Sequence, residues 1–413
     1  MTERLYYHDS FLHEFEGEVT EVVPAAGINA RHGVYLDRTA FYPSSGGQLH
    51  DTGWIIPAGE SSAAAGMRVA EVAETEDGRI IHYIEADKAP ERGLRVRGSI
   101  DPARRHDHMQ QHSGQHVLSA AFIKLFNMPT VSFHMGDDAC SIDLDTPTLK
   151  PEQVEQAEAL ANQIVQEDRA VEVRYATQEA APSLGLRKPP RADKEELRLI
   201  DIREFDLSAC GGTHVRHTGQ IGCILLRKTE RARQGWRVEF VCGQRAVATA
   251  RRDYQALTEA AALFSGHIWD VPRQVRKALD DLRAAGKDRE RLWEELADLQ
   301  AGQLLAETAA VKERKLIKRV CPDRDLAYIR LLAQRLTRRE ANVVALLATS
   351  TEPASLVFAQ SKGMPFDMAV LLKQTVAKLG GRGGGSKDLA QGGVPAEASL
   401  EAALGDAASR LRG

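Results

Sequence analysis

Two short segments of this 413-residue chain carry side chains of the kind that hold metal ions. His112 and His116 lie in His112-Ser113-Gly114-Gln115-His116, and Cys210 and His214 in Cys210-Gly211-Gly212-Thr213-His214. In each pair the donors are four positions apart, a spacing that puts both on one face of a helix or tight turn. Three imidazoles and a thiolate suit a borderline-soft ion such as Zn²⁺. One histidine pair at this spacing is common by chance. A second pair, wrapped in Gly-Gly-Thr, makes a shared ion the stronger reading. A zinc-protease helix requires H-E-x-x-H, with the glutamate as general base. Here Ser113 follows the first histidine, so that chemistry is excluded. Four protein donors also fit a closed structural site, whereas catalytic sites usually keep a position open. Donor count therefore leaves catalysis undecided.

These residues must be positioned by an ordinary globular chain. The composition is 43% apolar and 27% charged, with a net charge of −4. The length allows several domains with sizeable cores. The sequence has no apolar run long enough for a membrane span and no signal-peptide pattern at Met1-Thr2-Glu3-Arg4. The five cysteines, at 140, 210, 223, 242 and 321, are odd in number and have no framework spacing, which points to free thiols in a reducing cytoplasm. The chain is not basic as a whole. Arg and Lys crowd locally at 227–237, 312–319 and 335–339, either as solvated faces or as contacts to a polyanion.

The elements read as follows. Residues 1–100 alternate apolar and polar in short runs broken by Gly, Pro and Asp, which predicts a small β-barrel. Residues 101–243 read as an α+β domain. A helix over about 101–127 carries the histidine pair, a second opens at Pro151, and strands surround the Cys-Gly-Gly-Thr-His turn. Residues 244–318 form a helical arm, interrupted at Ser265-Gly266 and at Pro272. Residues 319–413 form a C-terminal α/β domain with buried strands near 343–348 and 354–359 and a helix over 367–379. In its glycine-rich stretch, Arg382 and Lys387 flank Gly383, Gly384 and Gly385. This matches neither a P-loop nor a dinucleotide turn. Bare backbone N–H groups between two cations suit a phosphate or ribose contact; a flexible linker is the alternative.

Four blocks in this order resemble the editing half of alanyl-tRNA synthetases and the freestanding alanyl-tRNA editing proteins. They are Thr39-Ala40-Phe41-Tyr42-Pro43-Ser44-Ser45-Gly46-Gly47-Gln48 with Asp51 and Gly53, then Asp101, Arg104 and Arg105 leading to the histidine pair. Asp206-Leu207-Ser208-Ala209 leading into the Cys-His turn is third, and Gly380–Gly393 is fourth. The resemblance implies a small barrel, a zinc-bearing editing domain, helices and a glycine-rich domain. It implies hydrolysis of mischarged tRNA(Ala), chiefly the serine ester and in some members the glycine ester, with one Zn²⁺ per chain on His112, His116, Cys210 and His214. The long freestanding form is expected, because residue 1 already opens the editing barrel.

By the same resemblance, Thr39 reads the serine hydroxyl, with packing through its methyl as the alternative. Gln48 holds the ester carbonyl or the ribose, with an ordinary turn glutamine as the alternative. Arg382, Gly383, Gly384, Gly385 and Lys387 contact tRNA, and the C-terminal domain offers a route to a homodimer. Asp101, Arg104 and Arg105 orient the helix, contact RNA or form surface ion pairs. The chemistry gives such an enzyme a purpose. A pocket sized for alanine cannot exclude glycine and rejects serine only about 10–200-fold, so a second site must supply the remaining discrimination. Two other readings stay open. One is a non-catalytic zinc-stabilised RNA-binding module. The other is a threonyl-type editing domain acting on Ser-tRNA(Thr), which shares the H-x-x-x-H and C-x-x-x-H pairs.

Overall fold

The computed structural model describes residues 2–24, 31–60, 66–187, 196–395 and 399–411. Among them the chain is mixed α+β and divides into two compact units, Met1–Glu259 and Ala260–Gly413.

The first unit opens with the strands β1 (Glu3–Arg4), β2 (Glu14–Val23), β3 (His32–Leu36), β4 (Arg38–Thr39), β5 (Gly53–Pro57), β6 (Met67–Glu74), β7 (Ile80–Glu85) and β8 (Arg95–Ile100). Six of them close a barrel in the order β2-β3-β7-β6-β5-β8, and β1 pairs in parallel with β4 beside it. Period-two alternation sends Phe15, Val19, Val34, Val69, Val72 and Ile84 inward, which is why the short runs close on one another. Register shifts between Val19 and Glu21 and between Val69 and Glu71 add the bends a small barrel needs.

Helix α1 (Pro102–Phe126) leaves the barrel directly. Asp101 caps it by accepting from the N–H groups of Ala103 and Arg104, and Pro102 needs no donor partner there. With α2 (Pro151–Gln166), α1 packs on a sheet of order β14-β15-β10-β9, formed by β9 (Thr130–Met135), β10 (Cys140–Leu144), β14 (Ile224–Ala232) and β15 (Gly235–Cys242). Sixteen of the helix's residues are buried, so it is an internal strut rather than a surface helix. A second sheet, β11-β12-β13, is built from β11 (Val171–Thr177), β12 (Glu196–Ile202) and β13 (Asp206–Ala209), and delivers the Cys210–His214 turn.

Helix α3 (Gly243–Ala262) is followed by α4 (Val271–Glu307). The break falls around Ser265, which has positive φ, and Gly266, as expected. The interruption expected at Pro272 is not there. That proline sits in the first turn of α4, where its missing N–H costs nothing, and the helix then runs unbroken for 37 residues.

The last sheet has the order β16-β17-β18-β20-β19, from β16 (Lys315–Val320), β17 (Val343–Thr349), β18 (Ser355–Gln360), β19 (Arg382–Gly385) and β20 (Leu389–Gly393). The end of α4 and α5 (Leu326–Arg339) cover one face; α6 (Met368–Lys378) and α7 (Leu400–Arg410) cover the other. Burial on both faces explains why β17 and β18 read as unbroken apolar runs. Two expectations change. Only β16 and β17 run parallel, so the layer is a mainly antiparallel α–β sandwich. The sheet also begins at Lys315, so the boundary expected at 318/319 falls inside a strand.

Candidate metal centre

Helix α1 places His112 and His116 on one face, and the turn after β13 brings Cys210 and His214 against them. The four donor groups lie within 4.8 Å of one another. The Cys210 sulfur is 3.4 Å from Nε2 of His112 and 3.3 Å from Nε2 of His214. Bonds of zinc length give a tetrahedron whose edges are about 3.3–3.8 Å. In donor type and spacing the set fits such an ion.

The other nitrogen of each ring is held by a partner, the arrangement that fixes a ligand's orientation and tautomer. His112 Nδ1 donates to Gln48 Oε1 at 2.7 Å, which leaves its Nε2 lone pair facing the sulfur. His116 Nδ1 lies 3.2 Å from Asp206 Oδ2, and Arg187 donates to the other carboxylate oxygen at 2.7 Å. His214 Nδ1 meets Ser113 Oγ at 3.3 Å. Ser113, the residue that excludes a protease, thus steadies a metal-type ligand. Burial alone would push the Cys210 thiol up. The imidazoles of His112, His214 and His116 outweigh it and hold the thiol well below its usual range. Burial takes His214 down to about 3, which keeps it neutral. Burial would also lower His116, but Asp206 reverses the shift and raises it.

Gln48 ties the barrel side to the cluster. Besides His112, its Oε1 accepts from Thr213 N at 3.1 Å and its Nε2 donates to Thr213 Oγ1 at 2.8 Å. The turn before it needs glycine: Gly47 has φ +87°, and a Cβ there would lie 2.5 Å from the Phe133 carbonyl. Gly212 is equally constrained, since a Cβ would lie 2.1 Å from the His112 ring. Beneath the turn, Arg198 donates to the carbonyls of Cys210 at 2.7 Å and Gly212 at 3.1 Å.

Thr39 is fully buried. Its hydroxyl accepts from Phe41 N at 3.1 Å and meets His82 Nε2 at 2.8 Å. His82 Nδ1 lies 3.0 Å from the Val34 carbonyl, so it carries the proton, and burial takes the ring down to about 4. The neutral ring must then receive the Thr39 proton at Nε2. One lone pair on Thr39 is left, so the hydroxyl can only accept from a further partner.

Arg105 is not a surface cation. It is fully buried, paired with Asp51 at 2.5 Å, and it donates to the carbonyls of Ser10 and Ala40. Arg104 donates to His50 O, and Asp101 is the helix cap. Arg382 and Lys387 are exposed; the glycines between them form a strand, and residues 386–388 form the turn that follows it. Gly383, Gly384 and Gly385 lie in the edge strand β19, paired only with β20. A Cβ on Gly383 would lie 2.7 Å from Gly392 Cα and 3.0 Å from Leu372 Cδ2, so close packing accounts for glycine there. These residues lie in the second unit; the metal-type cluster lies in the first.

Sequence reasoning did not single out Arg187, Arg198, His82 or the role of Asp206. Asp206, four residues before Cys210 in the same block, carried a usable signal; the others are brought in by tertiary pairing.

The family models that match are "tRNA synthetases class II (A)" over residues 2–104, "Threonyl and Alanyl tRNA synthetase second additional domain" over 197–239, and "DHHA1 domain" over 314–413. The alanyl-tRNA editing protein AlaX-L of Pyrococcus horikoshii is 30% identical over 96% of this chain and 96% of its own length. This chain belongs to the alanyl-tRNA editing proteins. The alanine–tRNA ligases of Pyrococcus abyssi and Archaeoglobus fulgidus are 31% and 32% identical over 95% of the chain, which spans 42% of each ligase. The C-Ala domain of Aquifex aeolicus alanyl-tRNA synthetase aligns with 26% of the chain at 25% identity and a TM-score of 0.24. Among the described residues, no helix is long and apolar enough to cross a membrane.

Proposed function

We propose that this alanyl-tRNA editing protein is a deacylase that hydrolyses the ester of serine mischarged onto tRNA(Ala), with the glycine ester as a second candidate, in the cytoplasm. The observation that carries the proposal is the four-donor cluster with each imidazole oriented from behind by Gln48, Asp206 or Ser113. Gln48 also ties the block that ends at it to the cluster, through His112 and Thr213. His112, His116, Cys210 and His214 would hold one Zn²⁺ per chain. When bound, that ion supplies Lewis acidity. The protein's own part is orientation: Gln48 sets the tautomer of His112, Asp206 with Arg187 holds His116, and Arg198 fixes the turn.

Thr39 is the candidate reader of the serine hydroxyl, acting as acceptor because His82 takes its proton. The alanine system is favoured over a threonyl-type activity by the match along nearly the whole length of AlaX-L. The glycine-rich edge at Arg382–Lys387 and the C-terminal domain are proposed to supply tRNA affinity and self-association. The four-part division at 100, 243 and 318 is kept as a functional scheme, with the last boundary moved to the start of β16.

The deciding experiment is deacylation of Ser-, Gly- and Ala-tRNA(Ala), beside Ser-tRNA(Thr), by metal-replete protein. Rapid loss of serine from tRNA(Ala) alone supports the proposal. Binding of every tRNA without hydrolysis would leave a zinc-stabilised RNA-binding module. Preference for Ser-tRNA(Thr) would move the chain to the threonyl system.

A further inference from the structure

Beside the Cys-Gly-Gly-Thr-His turn lies a group of aromatic rings that the reaction, as outlined, does not use. Tyr7 is half-buried, and a Cβ built on exposed Gly211 would lie 3.5 Å from its hydroxyl. Gly211 directly follows Cys210, so Tyr7 lies against the backbone of a metal-ligand turn. Tyr175, on β11, is 46% exposed, and its hydroxyl donates to the Tyr7 carbonyl at 3.3 Å. The exposed ring of His8 is 6.4 Å from that of Tyr175. These three rings are solvent-accessible beside the Cys210–His214 turn.

The patch is tied together by one buried guanidinium. Arg198, opposite Tyr175 across the β11–β12 ladder, donates to the Tyr7 carbonyl at 3.0 Å and to the carbonyls of Cys210 and Gly212. One guanidinium thus binds the aromatic group and the turn into a fixed register. Its charge centre lies 5.5 Å from the Tyr7 ring. Arg198 is about nine-tenths buried, its Nη2 has no hydrogen-bond partner, and among the described residues its hydrogen bonds go to backbone carbonyls and to no carboxylate. A buried guanidinium without an acid is costly. It leaves net positive potential at the patch, which an anionic ligand would answer. On the other side Arg4, its charge answered by Glu74, donates to the Tyr7 hydroxyl at 3.0 Å.

We infer that Tyr7, His8 and Tyr175 form a stacking platform for the unpaired 3′-terminal bases of the substrate RNA, with Arg198 as the positioning residue that registers this platform to the metal centre. The inference rests on the proposed deacylase reading, because the ester of an aminoacylated RNA sits on its last ribose. A base next to a bond held at the cluster must lie against whatever flanks the Cys210–His214 turn. Aromatic rings suit that place because every base has a π-face and stacking is indifferent to sequence. The unpaired charge of Arg198 beside the rings favours the anionic RNA backbone.

The test uses the full chain and an unacylated RNA hairpin in two forms, one blunt and one with a short unpaired 3′ tail ending in 2-aminopurine. Affinity and fluorescence quenching are read together. Wild-type protein is expected to prefer the tailed form and to quench the terminal base. Tyr175→Ala, on an exposed strand position, and Tyr7→Ala should each cut the tail preference by roughly 5- to 100-fold and relieve the quenching. Tyr7→Phe should keep both, since the ring remains. Zinc content and melting temperature should be unchanged in Tyr175→Ala, which guards against misfolding of the Tyr7 variant. Arg198→Lys keeps the charge but cannot bridge three carbonyls; it should reduce quenching and tail preference together while blunt-hairpin affinity stays. Wild-type preference and quenching in both Tyr175→Ala and Tyr7→Ala would overturn the inference, as would a wild-type protein indifferent to the tail. The probe carries no amino acid, so a failure to cleave Ser-tRNA(Ala) would count against the activity and leave the platform's result standing.

Discussion

At the scale of single residues, the cluster's partners separate holding a metal from aiming its ligands. Cys210→Ala removes a donor and leaves three buried imidazoles; zinc per chain, by elemental analysis, should fall toward zero with the deacylase activity. Asp206→Asn keeps all four donors but weakens the grip on His116, and metal affinity should drop about 10–100-fold. Active protein free of zinc would reject this view of the site. Thr39→Val keeps the shape and removes a hydroxyl already engaged by His82 and Phe41 N. The ratio of serine to alanine hydrolysis should shrink at unchanged zinc content; an unaltered ratio would assign Thr39 to packing.

His108 offers a separate test. It lies one turn before His112, is fully buried, and neither ring nitrogen has a hydrogen-bond partner. Burial takes its pKa down to about 4 from 6.5. The folded form then binds fewer protons than the unfolded one between those values. Stability from this group is therefore present above pH 6.5 and lost as pH falls toward 4. The loss is on the order of 3 kcal/mol at most. His108→Leu should flatten that part of the stability–pH curve and raise the melting temperature at neutral pH, measured at equal metal load. A variant with a lower melting temperature and an unchanged curve would mean the ring is held by a partner.

At the scale of elements, α1 and the turn after β13 must meet with little tolerance. Gly212 is the closest point of approach, with the place of a Cβ filled by the His112 ring and lying 3.0 Å from Gln48 Oε1. Gly212→Ala should therefore displace His112 and lower zinc affinity tenfold or more, roughly the effect of losing an orienting partner. Its far-UV circular dichroism should match wild type, because the strands on either side keep their ladders. Full zinc affinity in that variant would show that the turn can shift freely.

The glycine-rich stretch teaches the opposite lesson about the same residue type. Its glycines allow strands β19 and β20 and helix α6 to approach closely, so Arg382 opens an exposed edge strand and Lys387 lies in the short turn between β19 and β20. Much at this scale was legible beforehand. The barrel's alternation and the break at Ser265-Gly266 are local, and local sequence carries local signals. Pro272 misled because proline has two meanings in a helix, breaker inside and starter at the first turn, and sequence spacing alone does not say which turn is first.

At the scale of the whole molecule, chemistry and RNA affinity are proposed to reside in different units. All four donors lie in Met1–Glu259, whereas Arg382 and Lys387 lie in Ala260–Gly413. A fragment cut at 319 would leave β16 without its neighbour β17, so the informative fragment ends at Glu259. It should retain zinc and hydrolyse an aminoacylated minihelix at saturating concentration. It should bind full-length tRNA more weakly and with a shallower salt dependence, since fewer phosphates are contacted. Its mass should be measured alongside, to separate lost RNA contacts from lost self-association. Binding as tight as that of the intact chain would place the RNA anchor in the first unit.

The sequence by itself determined the donor set, because His112–His116 and Cys210–His214 are local pairs whose residue types name the ion class and whose blocks name the family. It also determined most elements, because hydrophobic period and turn residues act over a few positions. Only the tertiary structure decided that Arg105 is a buried ion pair with Asp51, that Gln48 spans from the barrel to two parts of the cluster, and that Arg198 grips the turn from below. Each of these joins residues far apart in the chain. No spacing records such a pairing; it exists only once the barrel, α1 and the second sheet have packed against one another.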